Sequence, residues 1–332
     1  MARYVVTGAT GFVGAEVAKQ LLTRGHKVVV LVRSPEKAAL LKLLGAEVHQ
    51  GDITEPDTLR ASMQGADGVF HIAGWYKTGM PTADAEATAI NVTGTRHVLD
   101  VMRELQIAKG VYTSTVAIFS DTHGRFVDET YRYDGPHLSV YDRSKWRAHY
   151  EVVLPAMAAG LPLVAVLPGV VYGPGDTSAI RNVFVNHLRR RMLVVPARTA
   201  YCWGHIEDTA HAHIEAMEHG VAGQSYIIAG PPHTLREALD LASKYSGRAA
   251  PFAGVPPWLL MGVSRVLGVV ERAVRLPPGL SSETLRVAAG ATYLGSHEKA
   301  TRQWGFSPRG LDEGLRHLVE HEMRMLGMAP RP

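Results

Sequence analysis

The chain has 332 residues, of which 46% are hydrophobic and 20% are charged. This composition is typical of a globular protein and excludes a disordered chain, a collagen-like repeat and a coiled coil. The 35 basic and 31 acidic residues leave a formal net charge of +4. Because the basic residues are scattered, with no run longer than Arg189–Arg191, we expect no nucleic-acid partner.

Two features bear on the cellular compartment. The single cysteine, Cys202, excludes an internal disulfide and is what a reducing compartment permits. The N-terminus runs at once into the short apolar segment Tyr4–Val6 and lacks the longer apolar stretch of a signal peptide. We therefore expect a cytoplasmic protein.

Short β-branched segments alternate with helical patterns through the first half of the chain, as is typical of parallel βαβ construction. Strands are predicted at Arg3–Thr7, Lys27–Arg33, Ala46–Gln50, Asp67–His71, Gly110–Ser114 and Leu163–Leu167. Helices are predicted at Phe12–Arg24, Pro35–Leu44, Pro56–Gln64, Ala83–Leu105 and Tyr141–Ala159. The predicted fold class is therefore α/β, with a doubly wound parallel sheet.

Beyond Pro168 the alternation weakens and irregular stretches become longer. Further helices are predicted at Ser178–Arg190, Glu207–His219, Leu235–Tyr245 and Leu311–Met325. We expect residues 1–170 to form a dinucleotide-binding domain to which 204–230 return. Residues 171–203 and 231–332 are then expected to form a smaller, mostly helical lobe that binds substrate.

The segment Pro257–Leu276 is rich in large apolar residues. Arg265 and Glu271 interrupt it, whereas a spanning helix needs roughly 20 nearly uninterrupted apolar residues. We interpret it as a packing or lid helix, and peripheral contact with a membrane through 257–276 is the alternative.

The loop after the first predicted strand has glycines three residues apart. Gly8 permits a turn, Gly11 lets the backbone approach a pyrophosphate, and Gly14 allows the following helix to pack closely on the sheet. The N-terminus of that helix faces the phosphates. This arrangement predicts a dinucleotide site, whose loop also contains Thr7, Thr10, Phe12 and Val13.

The pattern Thr-Gly-x-x-Gly-x-x-Gly resembles the loop of the extended short-chain dehydrogenases/reductases, within the NAD-dependent epimerase/dehydratase family. The resemblance extends to about Tyr226 and is strongest to dihydroflavonol-reductase-like and hopanoid-associated epimerase-like proteins. It implies a Rossmann sheet and an NAD(P)-dependent enzyme. By residue match it also implies contacts to adenine and the dinucleotide backbone from Asp52, Ile53, Ala73 and Gly74, and nicotinamide positioning by the loop containing Pro168, Val170 and Val171.

The end of the second strand bears on the choice of cofactor, because an acidic residue there would bind a ribose 2′-hydroxyl and repel a 2′-phosphate. The sequence has Val32-Arg33-Ser34 at this point. Arg33 and Ser34 are suitable donors to a phosphate, so NADP is favoured and NAD is the alternative. If Arg33 is only an exposed surface arginine, it does not distinguish NADP from NAD.

Tyr141 and Lys145 are four residues apart on a predicted helix and therefore share one face. A nearby ammonium group lowers the pKa of a phenol, as catalysis by tyrosine near neutrality requires. The strand Val111–Thr115 ends in hydroxyl residues that would bind the same substrate oxygen. The family resemblance implies that Thr115 is the catalytic hydroxyl, with Ser114 as the alternative, and that Asn91 supports the site unless it is a capping residue.

Several reactions are compatible with this constellation. Dehydration is disfavoured because Val116–Phe119 lacks the Asp-Glu pair of sugar-nucleotide dehydratases. We favour reduction of a ketone or aldehyde, or the reverse oxidation, with Tyr141 as general acid/base. A nucleotide-sugar epimerase that retains NAD(P) is the alternative, and a non-catalytic NADP-sensing protein is a lesser one. A pocket for an apolar or aromatic substrate would be lined by Trp75, Phe119, Tyr201, Trp203 and Trp258.

Other partners receive little support from the sequence. His205, His211 and His213 cluster, but residues two apart on a helix point in different directions, and we predict no metal site. The expected partner is a small carbonyl or alcohol substrate. The resemblance also implies a homodimer, whose face would be formed by the predicted helices Ala83–Leu105 and Tyr141–Ala159.

Overall fold

A parallel sheet of seven strands forms the centre of the computed structural model, which describes residues 1–77, 83–192, 194–271, 274 and 281–328. The strands are, in chain order, β1 (Arg3–Thr7), β2 (Lys27–Val32), β3 (Glu47–Gln50), β4 (Gly68–His71), β5 (Lys109–Thr113), β6 (Leu163–Leu167), β7 (Val170–Tyr172), β8 (Val194–Pro196), β9 (Ala200–His205), β10 (Ser225–Ile227), β11 (Pro232–Thr234), β12 (Ala253–Val255) and β13 (Thr292–Tyr293). The order across the central sheet is β10-β6-β5-β4-β1-β2-β3, and every pairing in it is parallel. The predicted doubly wound α/β fold is confirmed.

Helices flank both faces of this sheet. In chain order, the α-helices of the described residues, including those that pack away from this sheet, are α1 (Phe12–Thr23), α2 (Ala39–Leu43), α3 (Pro56–Met63), α4 (Asp84–Thr88), α5 (Thr95–Glu104), α6 (Val140–Arg147), α7 (Leu154–Ala158), α8 (Ala179–Leu188), α9 (Ile206–His219), α10 (Leu235–Ser246), α11 (Pro257–Val270), α12 (Ser282–Ala288), α13 (Glu298–Trp304) and α14 (Leu311–Met325). Short 3₁₀-helices occupy Pro35–Ala38 and Val116–Phe119.

The central strands are buried on both faces, which explains their continuous β-branched runs. Neighbouring side chains alternate between two cores: Val6 and Val30 pack on the side of α1 and α9, whereas Val5 and Val29 pack on the side of α3 and α5. Because the strands are parallel, the chain segments that leave their carboxyl ends meet at one edge of the sheet, where the ligand sites of such folds lie.

Two helices predicted as continuous are interrupted by π-helical turns. Ala83–Leu105 divides into α4, a π-helical turn at Ala89–Gly94 and α5. Tyr141–Ala159 divides into α6, a π-helical turn at Ala148–Val153 and α7. In the second, Pro155 has no N–H to donate to a preceding carbonyl, so a regular α-helical ladder cannot continue through it. Such turns commonly mark functional positions.

The second half of the chain contains short strands that the sequence analysis did not predict. The seventh strand of the central sheet, β10, pairs with β6, and β9 pairs with β7, β11 and β13. Except for β9, these strands have only two or three residues each, which is too short to give a clear alternating pattern. Ala300 and Phe306 pack into the core of the central sheet although the predicted lobe includes them. The division into domain and lobe stays a prediction.

The apolar segment 257–276 begins with α11, which packs beside α12. The end of the segment lies outside the described residues, except for position 274. Across the described parts of the chain, every helix is too short or too polar to reach from one side of a bilayer to the other.

Candidate active site

A cleft of about 710 Å³ lies at the carboxyl ends of β1, β4, β5 and β6. It brings together sixteen of the predicted site residues, namely Gly8, Thr10, Gly11, Phe12, Val13, Gly14, Arg33, Asp52, Ile53, Ala73, Gly74, Thr115, Tyr141, Lys145, Val170 and Val171. Three other predicted residues, Thr7, Ser34 and Pro168, do not line the cleft.

The glycine loop forms one end of the cleft, and its geometry requires glycine. Gly8 has φ +75°, and a Cβ there would lie 2.6 Å from the Ala73 backbone nitrogen. A Cβ on Gly14 would collide with the Gly8 carbonyl. The residue before α1 is Gly11, and no side chain caps the first turn of that helix. Its N–H groups are therefore available to a phosphate.

Thr7 supports this loop from beneath. Its hydroxyl lies 3.2 Å from the backbone nitrogens of Ile72 and Ala73, which donate to it, and 2.9 Å from Nδ1 of His71. The opposite ring nitrogen of His71 lies 3.0 Å from the Thr95 hydroxyl. Burial lowers the pKa of His71 to about 3, so the ring is neutral. Thr7 is buried and supports the chain after β4, and its predicted contact with the cofactor stays a prediction.

Arg33 projects into the cleft from the end of β2. Its side chain is 74% exposed, and its Nε lies 3.9 Å from Oδ2 of Asp52. The Asp52 carboxylate also accepts hydrogen bonds from the backbone and hydroxyl of Thr54, both at 2.9 Å. The weak ion pair leaves Arg33 free to turn toward another anion, and Lys37 lines the same region. Ser34 instead begins the 3₁₀-helix Pro35–Ala38 and lies off the cleft.

Tyr141 lies in the first turn of α6, whose start is fixed by the Ser139 hydroxyl accepting from the Asp142 backbone nitrogen at 3.0 Å. Thr115 precedes the 3₁₀-helix Val116–Phe119, and its hydroxyl accepts from Ala117 N at 3.1 Å. Tyr141 and Thr115 both line the cleft. Burial raises the pKa of Tyr141 to about 12, and the nearby Thr115 hydroxyl opposes that rise.

Lys145 also lines the cleft, but its contacts differ from the sequence-based expectation. Its Nζ donates to the Tyr112 hydroxyl at 3.0 Å and to the Thr113 carbonyl at 2.7 Å. Burial lowers the pKa of Lys145 to about 7. Burial dominates the pKa of Tyr141 and raises it. The expected lowering of this pKa by Lys145 together with a bound nicotinamide stays a prediction.

Asn91 joins the two walls of the cleft from the π-helical turn Ala89–Gly94. Its Oδ1 accepts from Trp75 N at 2.7 Å, and its Nδ2 donates to the Trp75 carbonyl at 2.9 Å. The same Nδ2 lies 2.8 Å from the Ser144 hydroxyl, which donates to the Tyr141 carbonyl at 2.9 Å. Asn91 thus links the loop after β4 to the helix that carries Tyr141.

The other end of the cleft is lined by residues that local sequence patterns did not indicate. Tyr293 stacks on Tyr201, with ring centroids 6.0 Å apart, and its hydroxyl donates to Oδ2 of Asp142 at 3.2 Å. Ile180 and Val287 complete this mostly apolar wall. No local motif marks Tyr293, which comes to the site only through tertiary packing.

The predicted aromatic lining is only partly present. Trp75 and Tyr201 line the cleft. Phe119 and Trp203 are instead buried in separate cores, where large apolar side chains are most stable. Trp258 is 73% exposed on α11.

The cleft suits an elongated, negatively charged dinucleotide. The glycine loop leaves room that any Cβ would fill, and Arg33 and Lys37 supply positive charge. In the cleft wall the buried Ser114 hydroxyl has no hydrogen-bond partner among the described residues. Pro168 contributes through its backbone, since its carbonyl accepts from Val116 N at 3.0 Å. The residues present therefore fit a nicotinamide dinucleotide.

Comparison with known proteins agrees with this geometry. The model of the NAD dependent epimerase/dehydratase family matches residues 4–229. The chain is 30% identical over 315 residues to 4-hydroxy-2-methyl-3-oxo-4-farnesyl-3,4-dihydroquinoline-1-oxide ketoreductase of Stigmatella aurantiaca, covering 92% of each chain. It is 30% identical over 331 residues to 2-alkyl-3-oxoalkanoate reductase of Shewanella oneidensis, covering 94% of this chain and 84% of that one. The crystal structure of gox2253 superposes with a TM-score of 0.84 at 29% identity, covering 99% of this chain and 100% of that one.

Proposed function

The chain belongs to the NAD dependent epimerase/dehydratase family, and on this premise we propose that it is an NADPH-dependent oxidoreductase of the extended short-chain type. It reduces a ketone or an aldehyde, or oxidises the corresponding alcohol. The observation that carries this proposal is that Thr115, Tyr141 and Lys145 line one cleft, with Lys145 one helical turn from Tyr141.

The side chains divide the work of carbonyl reduction. Bound NADPH would supply the hydride. Tyr141 donates its phenolic proton to the substrate oxygen, and Thr115 donates a hydrogen bond to the same oxygen, which disperses the developing negative charge. Lys145 binds the ribose and, as an ammonium ion, stabilises the phenolate that remains on Tyr141.

Arg33 supports NADPH over NADH. It lines the cleft at the end of β2, where the sequence offers Val32 instead of the carboxylate that would repel a 2′-phosphate. Within the described residues its guanidinium makes one ion pair, the long contact of 3.9 Å to Asp52, so it is available for charge-assisted hydrogen bonds to a phosphate.

The substrate binds between the nicotinamide site and the lobe. The cleft wall at this end is apolar and aromatic, because it is lined by Ile180, Tyr201, Val287 and Tyr293. Such a wall favours a substrate with a large apolar part. The names of the Stigmatella and Shewanella relatives describe reductions of substrates that carry a farnesyl or an alkyl group, and this supports the same substrate class here.

The family name leaves epimerisation as the second candidate, in which the cofactor is oxidised and reduced in one catalytic cycle and stays bound. Such an enzyme would retain nicotinamide cofactor through purification and would consume none. A non-catalytic sensor would bind cofactor without turnover, but it would have no use for the Tyr141 and Lys145 pair.

The test is a turnover assay with the purified full chain, NADPH or NADH, and a panel of apolar ketones and aldehydes. The proposal predicts many equivalents of NADPH oxidised per enzyme, one equivalent of alcohol formed for each, and slower turnover with NADH. Binding of NADPH with no oxidation across the panel would contradict it, as would a tightly retained cofactor that interconverts nucleotide sugars.

A further inference from the structure

The outward face of α11 is apolar, whereas the outward face of an ordinary surface helix is polar. Trp258 is 73% exposed, Val266 63% and Val269 64%, and Leu259, Val263 and Val270 are also exposed on this helix. At 100° per residue these six positions fall on one side of the helix. Contiguous exposed apolar surface of this kind marks an interaction site.

The polar groups of α11 hold its opposite face in place. Ser264 is buried, and its hydroxyl donates to the Ser282 carbonyl at 2.8 Å. Just after the helix, Glu271 accepts from the backbone nitrogen of Ser282 at 2.9 Å and from its hydroxyl at 2.5 Å. Because these contacts fix the rotation of the helix, the apolar side chains cannot turn inward.

Five exposed arginines lie on α11 or on segments that connect to its neighbouring elements. Arg265 is exposed on α11 itself. Arg198 approaches Gly290, which also packs against Pro257 at the start of α11. The run Arg189–Arg191 shortly precedes β8, which pairs with β12, the strand that leads into α11.

These five arginines differ from most other described arginines in their lack of an ion pair. Within the described ranges none of the five has an acidic side chain at ion-pair distance, whereas Arg60, Arg181 and Arg309 each pair with a carboxylate. The sequence of α11 contains no acidic residue, and the carboxylate of Glu271 is occupied by Ser282. The charge around the apolar face is therefore complementary to an anionic surface.

We propose that the outer face of α11 and its flanking arginines bind the surface of an anionic lipid bilayer. Apart from the Trp258 indole and Arg265, the face offers no polar side chain, whereas a protein interface has about one hydrogen bond per 100–200 Å². Acyl chains need no such partners. Tryptophan and short aliphatic residues flanked by arginine are the composition of interfacial helices.

The docking surface lies next to the cleft. α12 packs on α11, its residue Val287 lines the cleft, and Arg286 donates to the Leu138 carbonyl at 2.9 Å, just before the helix that carries Tyr141. The proposal is independent of the proposed reductase activity, because lipid binding is measured without substrate or cofactor.

The test is cosedimentation of the full chain with vesicles of phosphatidylcholine alone or of phosphatidylcholine mixed with phosphatidylglycerol. We expect binding to the mixed vesicles that weakens as salt is raised. Val266→Glu should lower the apparent affinity by roughly tenfold or more. Replacing Arg189, Arg190 and Arg191 by Gln should lower it by roughly 100-fold.

The matched control is Leu43→Glu on α2, where Leu43 is 85% exposed and remote in sequence from the proposed surface. It should bind vesicles like the wild type. Absence of binding to the mixed vesicles, or equal binding by Val266→Glu and wild type, overturns the proposal. A dimer in analytical ultracentrifugation that Val266→Glu dissociates, without vesicle binding, also overturns it and assigns the face to a second copy of the chain.

Discussion

Lys145 and Tyr112 are joined by a buried hydrogen bond, in which the lysine Nζ donates to the phenol oxygen at 3.0 Å. Burial lowers the pKa of Lys145 to about 7, so its positive charge titrates near neutrality. The pKa of Tyr141 is raised to about 12, and this phenol therefore stays protonated over the same range. The phenolic proton of Tyr141 is therefore available on both sides of neutrality, whereas the positive charge of Lys145 is lost as the pH rises.

We first predict a pH dependence that comes from Lys145. Deprotonation above about pH 7 removes the ammonium group that binds the ribose, so kcat/KM for NADPH should fall as the pH rises through this value. Steady-state rates measured across neutrality test this. Lys145→Arg stays charged, so its remaining activity should lack the decline. A flat wild-type profile would contradict the assignment.

The second prediction concerns Tyr112 as a positioning residue. Tyr112→Phe removes an acceptor of the Lys145 ammonium, so the pKa of Lys145 should fall and the decline in kcat/KM should move to lower pH. We also expect roughly a tenfold loss of kcat. The matched control is Tyr226→Phe, a buried phenol that accepts from Val221 N away from the cleft. An unshifted pH profile of kcat/KM with normal kcat in Tyr112→Phe would show that Tyr112 does not position Lys145.

The third prediction concerns cofactor choice. Arg33→Asp replaces a phosphate donor by a carboxylate, which should raise KM for NADPH by roughly 10- to 100-fold and improve the relative use of NADH. Titration with both cofactors measures the change. Lys19→Asp, on the exposed side of α1, serves as the charge-reversal control and should leave the ratio unaltered. An unchanged NADPH-to-NADH ratio in Arg33→Asp would refute the phosphate contact.

The fourth prediction concerns stability. Burial raises the pKa of Asp142 from 3.8 to about 7, so the folded state favours the protonated acid. The resulting stabilisation is present below about pH 4 and is lost as the pH rises through about 7. Asp142→Asn should therefore raise the free energy of unfolding at pH 8 by up to roughly 4 kcal/mol, and change it little at pH 4.

Urea denaturation at the two pH values measures the effect of Asp142→Asn. The control is Asp57→Asn, since the Asp57 side chain is 97% exposed and should show no such pH dependence. Equal effects of Asp142→Asn at both pH values would show that folding does not raise the pKa of Asp142.

The fold was largely predictable because its signals are local. Arg3–Thr7 and Leu163–Leu167 are short, β-branched-rich and mostly buried segments, and both have the predicted bounds. β10 was missed because three residues are too few to show a period. The π-helical turn at Ala89–Gly94 was missed because helical periodicity does not reveal one extra residue in a turn.

The candidate site was predictable only where spacing defines it. Gly8, Gly11 and Gly14 mark the passage from β1 into α1, and Tyr141 and Lys145 share one face of a helix. In contrast, the hydroxyl of Tyr293 reaches the carboxylate of Asp142, a residue 151 positions earlier in the chain. Long-range packing determines such contacts, and a single sequence carries no local record of them.

The central claim is that Tyr141 supplies the proton, and Tyr141→Phe tests it most directly. Turnover of an apolar ketone and the dissociation constant for NADPH are measured on the same preparation of wild type and variant. Turnover should fall by roughly 100-fold or more while NADPH binding stays within about twofold. Turnover within a few-fold of the wild type would contradict the claim.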